Sequence, residues 1–198
     1  MRKRSHAPVS RRTGLAKAPL GVDAVVGAGL AVADREGLGA VTMRRVAREL
    51  DTSASALYVY VRGRDDLLAL MLDRVLAEVA GRPAAGGDAR GELRALLAEV
   101  VEAARGHGGL AAVGLRMVPD GPNVRAVTER VRTLLREVGV PPGGIPAVLD
   151  LLALFVSAAA LDSPPGEAAD PGAGARRRRL AWEIDVLLSG VAATPWQE

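Results

Sequence analysis

Apolar residues recur at helical spacing along most of this chain, and the most sharply phased stretch is residues 42–61. Met43, Val46, Ala47 and Leu50 stand at i, i+3, i+4 and i+7, which makes one apolar stripe on a short helix with Thr42 as its N-cap. Asp51-Thr52-Ser53 then breaks the period, and Ser53 can cap a second short helix. That helix should bury Ala54, Leu57 and Val61 and leave Ser55, Tyr58, Tyr60 and Arg62 facing outward.

Other helical patterns surround this pair. One runs from about Val22 to Glu36 and ends at Gly37-Leu38-Gly39. After a turn at Gly63, Asp65 and Asp66 favour the positive end of a helix carrying Leu67, Leu68, Met71, Leu72, Val75, Leu76 and Val79. It fades at residues 81–87. Beyond lie three patterns: Leu93, Leu96, Leu97, Val100, Val101 and Ala104; then Val124, Val127, Val131, Leu134, Leu135 and Val138; then Ile145, Val148, Leu149, Leu152, Phe155 and Val156. The Gly-rich stretch 106–121 has room for one short helix at Leu110–Arg116. Ser163–Gly174 reads as a loop, and a last helix from near Ala175 carries Leu180, Ile184, Leu187, Leu188 and Val191.

Composition narrows the class. Of the 198 residues 49% are hydrophobic but only 3% aromatic, so the core is built from Leu, Val and Ala, a mixture that favours helices. Residues 1–70 hold 12 basic against 7 acidic residues, whereas residues 71–198 hold 14 against 16. A positive end on a near-neutral body suits a nucleic-acid-binding domain joined to a different one. The absence of cysteine excludes disulfides, Cys-based zinc sites and thiol catalysis. No apolar run is expected to reach the length of a membrane span, and the basic start lacks the apolar stretch of a signal peptide, so the cytoplasm is the expected location. His6 and His107 are the only histidines, and no His/Asp/Glu spacing fits a metal site. Neither an enzyme, a cofactor nor a metal is expected.

Two short helices joined by a tight turn pack steeply, and the second can enter the major groove of DNA. Residues expected at double-stranded DNA are Thr42, Arg44, Ser53, Ser55, Ala56, Tyr58, Tyr60, Arg62 and Arg64, with the arginines on phosphates and the tyrosine hydroxyls on phosphates or base edges. Gly39-Ala40-Val41-Thr42, Arg44-x-x-Ala47-x-x-Leu50, Ala56-Leu57-Tyr58-x-Tyr60-Val61 and Arg64-Asp65-x-Leu67-Leu68 resemble the TetR family of bacterial transcriptional regulators, over about residues 20–75. The run Leu57-Tyr58-x-x-Val61 is most similar to the tetracycline-repressor branch. Asp51 stands where that family usually has a glycine with positive φ, a conformation that Asp tolerates.

The resemblance implies an all-α fold, with an N-terminal three-helix helix-turn-helix DNA-binding domain and a C-terminal helical domain for ligand binding and dimerisation. The expected divisions are a basic arm at 1–18, the helix-turn-helix domain at 19–64, a connecting helix at 65–80 and the regulatory domain at 88–192. It also implies a homodimer built on the eighth and last helices, here through Leu149, Leu152, Val156, Leu180, Ile184 and Leu187. A small-molecule effector would sit between the helices, and His107, Arg116, Asn123, Asp150, Ser157 and Trp182 are its candidate polar contacts. The implied function is a repressor released from a palindromic operator by that effector. A helix-turn-helix architectural protein without a ligand is the alternative, and a cavity in the core of residues 88–190 separates the two.

Overall fold

The computed structural model describes residues 20–83, 86–107, 109–116, 120–161 and 173–194, and all regular structure among them is helical. The arm 1–18 and most of the Ser163–Gly174 loop lie outside the described residues. The helices are α1 (Val22–Glu36), α2 (Met43–Glu49), α3 (Ala54–Leu57), α4 (Arg64–Val75), α5 (Ala77–Gly81), α6 (Ala89–Arg105), α7 (Ala111–Arg116), α8 (Pro122–Glu137), α9 (Ile145–Leu161) and α10 (Ala173–Ala193). The expected connecting helix is interrupted: the chain turns at Leu76, whose N–H bonds back to the carbonyls of Leu72 and Arg74, and α5 starts anew.

Buried side chains gather in two clusters. The first joins Val25, Val26 and Val32 of α1, Val46 and Ala47 of α2, and Leu57 and Val61 to Leu67, Leu68, Met71 and Leu72 of α4. Gly29 lets α1 and α4 approach closely, since a Cβ there would lie 2.8 Å from the Met71 sulfur. Leu110 and Val113 at α7, far along the chain, complete this cluster. The second is formed by α5, α6, α8, α9 and α10, and Leu76 and Val79 carry it onto the end of the connecting segment. Apolar burial on this scale, at roughly 25 cal/mol per Å², is the main force holding each cluster together.

One polar joint fixes the body to α4. Asp73 is buried, and its carboxylate accepts the backbone N–H groups of Asn123 and Val124 at 2.9 Å each and the Asn123 side-chain amide at 2.9 Å. The first turn of α8 is thus capped by a side chain from another helix. Gly121 is required beside it, because a Cβ would fall 2.0 Å from Asp73 Oδ1.

Two expectations about the C-terminal helices need correcting. Pro142–Leu161 is 20 residues long with a mean hydropathy of 2.1, enough by length and composition to cross a membrane. The sequence pattern, counted from Ile145, stops short of that length; the 3-10 turn Pro142–Gly144 extends the helix backwards. The segment packs on α6, α7 and α8 of its own chain, with 33% of its apolar stretch buried there. Of the six residues expected at a dimer face, three point inward. Leu152, Leu180 and Ile184 lie in the chain's own core, Leu149 and Val156 pack against it, and Leu187 is half-buried. The outward stripes are instead Leu151, Leu154 and Leu161 on α9, and Trp182 and Val186 on α10. A helix that is apolar nearly all round cannot be phased by pattern alone.

Replacing Asp73 by Ala should lower stability by about 2–3 kcal/mol, because two buried N–H donors and an amide lose their acceptor. Urea unfolding followed by circular dichroism measures it, and an unchanged midpoint would rule out the joint.

Candidate nucleic-acid interface

The helix-turn-helix is shaped by local chemistry. Thr42 Oγ1 accepts the Arg45 N–H at 3.2 Å and starts α2, and Ser53 Oγ accepts the Ala56 N–H at 3.3 Å and starts α3. Between them Asp51 adopts φ 49°, the left-handed conformation expected at that turn. Only Ala54–Leu57 is α-helical; the chain then tightens into turns, with the N–H groups of Tyr60 and Val61 both bonded to the Leu57 carbonyl. Leu57 and Val61 are buried, so this turn holds Ser55, Tyr58 and Val59 outward. Tyr60, expected to face out, is half-buried against the core, and Ala56 is half-buried as well. Val59 is exposed, although the helical pattern gave no reason to single it out.

The arginines divide by role. Arg44 is exposed. Arg45 is a clamp: its guanidinium bonds Glu36 of α1 and Glu49 of α2, and Arg35 adds a 2.7 Å pair to Glu49. These contacts hold the Glu36 and Glu49 carboxyls below the usual range and raise Arg45. Arg62 projects into solvent with 92% of its side chain exposed, while pairing with Asp66 at 2.9 Å. The Asp66 carboxylate also accepts the Arg62 backbone N–H at 2.8 Å, and the Arg62 contacts pull its pKa down. Because the folded pKa is depressed, this pair supports the fold at neutral pH and is lost as pH falls through that lowered value. Arg64, expected on phosphates, turns inward instead. Its Nε donates to the Val41 carbonyl at 2.7 Å and its Nη2 to the Leu38 carbonyl at 3.1 Å, tying α4 to the turn before α2.

A cavity of about 600 Å³ opens among α4, α6, α7, α8 and α9. Its walls are mainly aliphatic, including Leu72, Leu97, Val127, Val131, Leu152 and Val156. Its polar lining is Asp120, Arg125, Thr128, Glu129, Arg132, Asp150 and Ser157. Asp150 and Ser157 therefore reach it, as expected. His107 lies elsewhere, its Nδ1 3.0 Å from Asp34 Oδ1 of α1. Asn123 is committed to Asp73, Trp182 is exposed on α10, and the Arg116 side chain lies outside the described residues. The signal that could have pointed to Thr128 and Arg132 is their spacing on one face of α8, next to the apolar positions 124, 127 and 131.

A family model for bacterial regulatory proteins of the tetR family matches residues 25–71. The HTH-type transcriptional repressor DrrR1 of Streptomyces coeruleorubidus is 38% identical over 146 residues, covering 73% of this chain and 54% of that protein. A regulator of Saccharopolyspora erythraea is 33% identical over 117 residues, covering 59% of this chain and 50% of that protein. The chain thus spans about half the length of the curated relatives it matches. The crystal structure of the Streptomyces coelicolor TetR family protein ActR, in complex with actinorhodin, superposes with a TM-score of 0.76 at 30% identity. That match covers 89% of this chain and 98% of ActR. The chain belongs to the TetR family.

The family match falls on α1–α4, where Arg44 and Arg64 lead to opposite predictions. Arg44→Ala should weaken binding to specific and random DNA alike and reduce the salt slope by about 0.9, one phosphate contact. Arg64→Ala should leave that slope unchanged and cost roughly 1–3 kcal/mol of stability, since two carbonyls lose a charged donor. Anisotropy titrations across a salt series, with thermal melts, separate the two. A reduced slope for Arg64→Ala would return that residue to the DNA.

Proposed function

We propose that this TetR-family protein is a homodimeric transcriptional repressor, released from a palindromic operator when a small organic effector fills the cavity. It acts in the cytoplasm, as a regulator rather than an enzyme. The observation that carries the reading is the double duty of α4 and α7. Leu72 belongs to the helix-turn-helix core and also lines the cavity. At α7, Leu110 and Val113 enter that core while Ala111 and Gly114 line the cavity. Any molecule that moves the cavity wall therefore also moves the support of the recognition helix. A coupling of about 1–3 kcal/mol would change operator affinity 5- to 150-fold.

The volume lies in the range of small-molecule sites, and the lining has the mix of apolar wall and a few polar groups that such sites use. The complex of ActR with actinorhodin supports a small organic effector of comparable chemistry here. An open cavity also weighs against a ligand-free architectural protein, whose core would be solid. The outward stripes of α9 and α10, with Leu154 at 56% and Trp182 at 66% exposure, support a second copy of the chain as the occupant of that face.

Mobility shifts on the DNA upstream of the protein's own gene, with and without candidate molecules, test the regulatory reading. Ala153→Trp, at the cavity wall, should keep DNA binding and abolish the response to effector. A response that survives would move the effector site elsewhere. For assembly, Trp182→Glu and Leu154→Glu should give folded monomers by sedimentation with a steep loss of operator binding, because one recognition helix reaches only a half-site. Leu152→Glu should instead unfold the chain, as it buries an unpaired charge in the intrachain core. A wild-type protein that sediments as a monomer at micromolar concentration would refute the dimer.

A further inference from the structure

The turn that follows the recognition helix presents an apolar side chain where a reader of base edges would ordinarily be polar. Val59 is 79% exposed, the most exposed of the large hydrophobic residues among those described. It stands four residues after Ser55 on the outer side of the turn, while Leu57 and Val61 hold the opposite side in the core. Folding alone does not call for it there, since a valine so exposed gains almost no burial.

The neighbouring chemistry narrows what Val59 can do. Between Glu49 and Arg62 the sequence contains no Asn, Gln, Lys or Arg, so this helix cannot make the bidentate contacts that identify guanine or adenine. The Ser53 hydroxyl is occupied as the N-cap and lies 2.9 Å from the Ser55 hydroxyl. Tyr60 is half-buried. The groups of this segment left to face a major groove are one serine hydroxyl, the Tyr58 ring with its hydroxyl, and the two Val59 methyl groups. On the major-groove edge the only apolar group offered by any base is the thymine C5-methyl. A cytosine at the same place would present an N4 amine that valine would strip of water without replacing its hydrogen bond.

We propose that Val59 is a specificity-determining residue that selects a thymine by apolar contact with its C5-methyl group. The inference rests on the DNA-binding role of the helix-turn-helix and adds to it a base and a mode of recognition.

The test uses duplexes that the full-length protein selects from a randomised pool. Each dT is replaced in turn by deoxyuridine, which removes only the methyl group, and affinity is measured by fluorescence anisotropy at fixed salt. At one position of the site wild-type affinity should fall about three- to fivefold, the value of burying roughly one methyl group. Val59→Ala should weaken the unmodified duplex similarly, keep the wild-type salt slope, and show no further loss on the deoxyuridine duplex. Thermal melts of Val59→Ala should match wild type; if they do not, Val59→Ser, which also lacks both methyl groups, serves in its place. Indifference of wild type to every replacement, or the same sensitivity in the Val59 variant, would overturn the proposal while leaving DNA binding intact. A selection that recovers no duplex would overturn the DNA-binding role, and this inference with it.

Discussion

The arrangement depends on α4 being shared between two hydrophobic clusters. Leu67, Leu68, Met71 and Leu72 close the core behind the helix-turn-helix, and Leu76, just past the helix end, already belongs to the body. Between these sets the buried carboxylate of Asp73 holds the first turn of α8. A buried acceptor facing two backbone donors is costly to separate, whereas apolar surfaces can slide with little change in area. Asp73 therefore ties α4 to the body, and α4 shares one core with Leu57 and Val61 of the helix-turn-helix.

A second tie runs through α7. Its Leu110 and Val113 are buried in the N-terminal core beside α1 and α4, and His107 meets Asp34 at the rim of the same contact. The two cores thus share a helix and interlock at a second one. The cavity lies where these ties converge.

Charge is spent differently around the helix-turn-helix. Arg45 and Arg64 are consumed in holding α1, α2 and α4 together, whereas Arg44, Arg48 and the projecting Arg62 are exposed. The outer face of α3 is short of hydrogen-bonding side chains. Affinity drawn from phosphates and specificity drawn from shape and methyl groups is a consistent division for such a surface.

The bounds of α1, the caps Thr42 and Ser53, the left-handed Asp51 and the short helix at 111–116 were all legible in the sequence, because each is fixed by residues within a turn or two of one another. So was the family, whose motifs lie in that same local stretch. Other features came only from the tertiary structure. Arg64 finds its carbonyl partners 23 and 26 residues away, and Asp73 finds Asn123 at a separation of 50, distances over which periodicity carries no information. For α9 and α10, apolar on several faces, only packing, of α9 on α6, α7 and α8 and of α10 on α6, decided which leucines became core and which remained outside. Sequence determined the local geometry that makes a helix-turn-helix; tertiary packing decided which side chains were left free to use it, because burial is settled between elements rather than within them.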